Sequence, residues 1–131
     1  MRNKETLKRL VIFLAMLAVI TYGSLSPGEE TQKLNILDFP NSDKVIHGLM
    51  YFLLTGSFIY FLMHHFDSFT NWKVYLMVLG GPVFYGLLME VLQYLVTANR
   101  SAELLDFVAN VIGTGLAFLL ARAYYRLKST G

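Results

Sequence analysis

Residues 100–113 read R-S-A-E-L-L-D-F-V-A-N-V-I-G, and the chain stays apolar from there to Ala121. The span 104–124 is long enough to cross a bilayer, which takes about 20 mostly apolar residues in a helix. It is too long and too uniformly apolar for a barrel strand, so it predicts a membrane helix. Yet Arg100, Glu103, Asp106 and Asn110 crowd its first end. Lipid does not solvate such groups, so they need partners from elsewhere in the chain.

Three further stretches have the same character, at 7–24, 45–64 and 72–97. The first is the shortest. It also has the form of a signal peptide, with a basic start and a short apolar core. Pro27 spoils a cut after Ser26, but a cut after Gly23 would leave three spans. With all four retained, the fold class is all-α: a bundle of four transmembrane helices forming one domain over residues 1–131. Composition agrees, with 55% hydrophobic and only 15% charged residues among 131 and a mean hydropathy of +0.49. An ordinary soluble domain is less apolar. The net charge of +2 forms no basic stripe, so no nucleic-acid partner is expected. The absence of cysteine excludes disulfides, thiolate metal sites and cysteine nucleophiles.

Lysine and arginine set the orientation. Arg2, Lys4, Lys8, Arg9, Lys73, Arg122, Arg126 and Lys128 fall on one side of the four spans, and only Lys33, Lys44 and Arg100 on the other. Both termini are therefore expected inside, with the loops around 25–44 and Arg100 outside.

The polar residues within the spans then share the outer end. Asp43, Lys44 and His47 open the second span. Glu90 and Gln93 lie in the outer third of the third span, and Glu103, Asp106 and Asn110 open the fourth. Residues three and four apart share a helix face. Asp43, His47 and Tyr51 make one stripe; Glu90, Gln93, Tyr94 and Thr97 make a second; Glu103, Asp106, Asn110 and Gly113 make a third. Glu90 is the deepest ionisable group, about 10 Å below the outer end at 1.5 Å per residue. It needs a partner, water or a proton there. Asp43 is placed to orient the His47 ring, and Glu103 reads as a solvated first-turn residue. Gly113, Ala117 and Ala121 form a ridge of small residues for close helix approach, and Pro82 is expected to kink the third helix.

Three blocks carry a family resemblance: D-K-V-I-H-G-L-M-Y at 43–51, E-V-L-Q at 90–93, and R-S-A-E-L-L-D-F-V-A-N-V-I-G at 100–113. With S-L-S-P at 24–27, their order and spacing resemble the VanZ-like membrane proteins. One departure is T-A-N-R at 97–100, where such proteins often carry a Pro-Gly turn. The resemblance implies a small multi-pass protein of the bacterial cytoplasmic membrane. It also implies a connection to resistance against teicoplanin, a lipid-bearing glycopeptide. The site residues it carries over are Asp43, Lys44, His47, Glu90, Gln93, Arg100, Asp106 and Asn110.

Function divides into three readings. In the first, an outward-facing polar pocket binds an amphipathic envelope ligand, such as a lipoglycopeptide or a lipid-linked cell-wall precursor. Arg100, Lys44 and His47 would meet its headgroup. In the second, the chain is a membrane enzyme that modifies such a headgroup, with His47, Glu90 and Asp106 as general acid and base. A metal version, with His47 and the carboxylates as ligands, is its minor form, because only one histidine stands at that end. No metal or cofactor is assigned. In the third, the polar groups only fix helix register for assembly with partners.

Overall fold

Four helices follow one another: α1 (Arg2–Leu25), α2 (Ser42–Leu62), α3 (Trp72–Val96) and α4 (Leu104–Thr130). The computed structural model describes residues 2–26, 40–66, 69–96 and 103–130, and contains no strand among them. All four helices are long and apolar enough to cross a membrane. α1 starts before its apolar run and α4 continues past its own. The residues there are polar but good helix formers, including Lys4, Glu5, Arg126 and Lys128.

Local chemistry sets the helix starts. Asn41 adopts the left-handed conformation before α2, at φ 63°. Asparagine tolerates this region better than most residues. The Asn41 carbonyl accepts the Lys44 and Val45 amides at 3.1 and 3.4 Å. Asn71 caps α3, its Oδ1 accepting the Lys73 amide at 2.9 Å. Pro82 sits inside α3, which runs from Trp72 to Val96.

The helices alternate in direction. Thr21 of α1 meets Tyr85 of α3 and Ser24 meets Gln93, so these two run parallel. On α2 and α4, Lys44 meets Glu103 and Thr55 meets Thr114, so these also run parallel. Arg9 donates to the Tyr60 carbonyl at 2.9 Å and lies over the Tyr60 ring, which makes α1 and α2 antiparallel. The starts of α2 and α4 thus share one end with the finishes of α1 and α3. We call this the polar end.

α2 and α4 form the most extensive helix pair. A Cβ added at Gly113 would overlap the Gly48 carbonyl and come within 3.0 Å of the Phe52 amide nitrogen. Only glycine permits that approach of two backbones, as expected for a small-residue ridge. Ala117 continues the ridge and is buried. At the far end, Ile59, Leu62, Phe69, Val74, Val78 and Phe118 pack into an apolar cluster. A second cluster of Ile20, Tyr51 and Leu54 joins α1 to the bundle. The polar distribution is inverted relative to a water-soluble domain. Glu90, Gln93, Asn110, Thr55 and Thr114 are buried, whereas leucines such as Leu104, Leu116, Leu119 and Leu120 are exposed. Tyr94 is also exposed and does not share the buried face of Glu90 and Gln93. Their face continues instead to Met89 and Gly86, also buried on α3.

A polar cluster at one end of the bundle

Lys44 stands at the centre of the outer layer. Its Nζ meets Asp43 Oδ2 at 2.5 Å, Glu103 Oε2 at 2.5 Å and Asp106 Oδ1 at 3.1 Å. Three carboxylates therefore converge on one ammonium. Glu103, just before α4, is exposed as expected and also pairs with Lys44 of α2. Lys44 on one helix and Glu103 on another have no shared periodicity, so helix-face spacing could not pair them. Opposite charges at the same end of two apolar runs were the available signal.

One turn deeper, His47 turns toward α4. Its Nδ1 lies 3.2 Å from Asn110 Oδ1, and its Nε2 lies 3.7 Å from Asp106 Oδ2. A carboxamide oxygen only accepts, so Nδ1 carries the proton in that bond. The ring is thus oriented by Asn110, while Asp43, expected in that role, pairs with Lys44. Asp106 divides its two oxygens, Oδ1 toward Lys44 and Oδ2 toward His47.

Glu90 is buried and completes the inner layer from α3. One ligand atom each from His47, Glu90 and Asp106 all lie within 4.8 Å of one another. Gln93, one turn further along α3, donates from Nε2 to the Ser24 carbonyl at 2.8 Å and fastens α1 to the cluster. Tyr51 forms the floor. Its ring tip lies against Gly86, one turn of α3 from Glu90, and Asn110 Nδ2 approaches the same glycine. Sequence spacing put Tyr51 on the His47 face but gave it no role.

Of the eight expected site residues, the structure brings seven into one region: Asp43, Lys44, His47, Glu90, Gln93, Asp106 and Asn110. Arg100 lies outside the described residues, as do Thr97 and Asn99. Two surface hollows, one lined by Leu119, Arg122, Ala123, Arg126 and Leu127 and one by Trp72, Tyr75, Leu76, Leu79, Gly80 and Val83, do not touch the cluster. His64 and His65 follow α2 at the opposite end, their rings 5.5 Å apart.

An uncharacterized protein of fission yeast, Schizosaccharomyces pombe, is 34% identical to this chain over 121 residues, covering 92% of this chain and 67% of the relative. The chain belongs to the family of that yeast protein. No family model matches the chain, and no solved structure does. The fungal relative overturns the expected placement in a bacterial membrane. That placement came from the family resemblance alone. A lysine and arginine asymmetry bears on orientation and carries no information about which organism supplies the membrane.

Proposed function

We propose that the chain is a multi-pass membrane protein, with both termini on the cytosolic side, that binds the headgroup of an amphipathic lipid-like ligand at its polar end. The observation that carries this reading is the convergence of Ser24, Lys44, His47, Glu90, Gln93, Asp106 and Asn110 from all four helices at one end of a bundle of apolar helices. Intramembrane polar groups are costly and usually functional. The motif resemblance to VanZ-like proteins supports the same reading. Lys44 is already held by three carboxylates. The ligand groups that suit this cluster are therefore hydrogen-bond donors, such as the hydroxyls of a sugar or an amine.

Native mass spectrometry of the full chain in lipid nanodiscs tests this. A co-purifying lipid with a sugar or amine headgroup is expected to be retained, and Glu90→Gln is expected to lose most of it while keeping its helical circular dichroism. Equal retention by both proteins would remove Glu90 from the binding site. Glycopeptide protection is the particular form of this reading drawn from the resemblance. A teicoplanin-sensitive Gram-positive host expressing the native chain is expected to tolerate several-fold more drug than one expressing Glu90→Ala at matched membrane levels. Equal susceptibility would separate the headgroup site from glycopeptide resistance.

An acid–base enzyme is the second reading. It is favoured by the proximity of His47, Glu90 and Asp106. Their spacing suits proton transfer to and from one bound group. Consumption of the retained lipid by native chain but not by Glu90→Gln would distinguish turnover from binding.

A further inference from the structure

The inner layer of the cluster has the makings of a metal centre, which the sequence reading did not assign. Its three groups come from three different helices: His47 from α2, Glu90 from α3 and Asp106 from α4. None is strongly exposed, and Glu90 is buried.

The placement of His47 is the first argument. Its Nδ1 is engaged by Asn110 Oδ1, and its Nε2 faces Asp106 Oδ2 across the inner layer. The 3.7 Å separation is too long for a good direct hydrogen bond. A cation bound at about 2.0–2.2 Å holds neighbouring ligand atoms about 3–4 Å apart, so the gap matches a bridging ion. The imidazole is arranged as metal-binding histidines are, with the far nitrogen fixed by a carbonyl-type oxygen.

The carboxylates are the second argument. Glu90 and Asp106 bring ligand oxygens within 4.8 Å of each other and of the imidazole. Two carboxylate oxygens and one imidazole nitrogen offer three donor atoms to one ion. Lys44 reaches Asp106 through Oδ1 and leaves Oδ2 directed at the inner layer.

Tyr51 is the third and independent argument. It is 1% exposed, and its hydroxyl has no hydrogen-bond partner among the described residues. A buried hydroxyl left so is costly. It lies on the His47 face of α2, with its ring tip against Gly86 and near Asn110. The carbon that bears the hydroxyl thus lies beside the turn of α3 that precedes Glu90, one turn along α2 from His47.

We propose that His47, Glu90 and Asp106 bind one divalent cation, Mn²⁺ or Zn²⁺, at the inner layer of the polar cluster. One imidazole and two carboxylates suit these ions better than Ca²⁺, which takes oxygen ligands only, or Cu⁺, which prefers sulfur. The site shares Glu90 with the proposed headgroup site, so metal content and nitrogen coupling are read on the native chain with no lipid added. Lipid retention and metal content are read separately, so either result stands without the other.

The test uses untagged full chain in detergent, stripped with chelator and dialysed against Mn²⁺ or Zn²⁺. One equivalent of metal by elemental analysis is expected, and the Mn²⁺ form should show hyperfine coupling to one imidazole nitrogen. His47→Ala and Glu90→Gln are each expected to weaken binding at least tenfold, as judged from titration. The double change of His64 and His65 to alanine, at the far end, should leave binding intact. The nitrogen coupling is measured on native protein, so it decides the matter even where a variant does not fold. Substoichiometric metal, one equivalent without nitrogen coupling, or binding lost only with His64 and His65 would each overturn the proposal.

Discussion

Gly113→Ala is expected to lower the thermal midpoint of the full chain in detergent by about 12 °C. The added Cβ would overlap the Gly48 carbonyl on α2 and crowd the Phe52 amide. Both are backbone atoms of a helix, so no rotamer change relieves the clash. Overpacking costs about 1–3 kcal/mol, and the upper end applies where backbone must move. A chain of this length shifts by about 4 °C per kcal/mol. The consequence also reaches the site. Forcing α2 from α4 would lengthen the His47–Asn110 and Lys44–Asp106 contacts, which lie within about two turns of the clash. Gly115→Ala is the control, because nothing lies within 4 Å of its Cβ position. Alanine there is expected to be neutral or to stabilise by up to about 1 kcal/mol, from helix propensity alone. Equal midpoints for the two variants would mean that α2 and α4 are not in backbone contact at Gly113.

Lys44→Ala carries the second large effect, a loss of about 2–3 kcal/mol. Its side chain is 19% exposed and meets three carboxylates, of which Asp106 is 14% exposed. Removing one partner of a fully buried ion pair costs about 3–5 kcal/mol. The half-exposed Asp43 and Glu103 are screened by solvent, which reduces the figure. Adding Asp106→Asn to Lys44→Ala removes one of the stranded charges and is expected to recover about 1 kcal/mol. That non-additivity is the signature of a direct pair. Additive losses in thermal unfolding would show that Lys44 and Asp106 act independently.

Much of the site was readable before any packing was known. Asp43, Lys44, His47, Glu90, Gln93, Asp106 and Asn110 stood out because each places a polar group inside a run that is otherwise apolar. Helix periodicity correctly put Glu90 with Gln93 and Asp106 with Asn110. It misplaced Tyr94, since four residues after Glu90 is also nearly a full turn for a side chain at the rim of that face. Asp43 fits the face of His47, yet its carboxylate reaches its chain neighbour Lys44. A flexible lysine can fold back to a side chain that helix geometry alone would set apart.

The sequence by itself determined four apolar helices, their approximate bounds and the crowding of polar residues at one end. Those follow from local composition and from the 1.5 Å rise of a helix. Which helix meets which was decided only in three dimensions. Contact between Gly48 and Gly113 draws α2 against α4, and that approach sets Lys44 among three carboxylates and His47 between Asp106 and Asn110. The physical reason is range. Hydropathy is a sum over neighbours in the chain, whereas ion pairs and ligand geometry depend on side chains 59 or 63 positions apart reaching within a few ångströms.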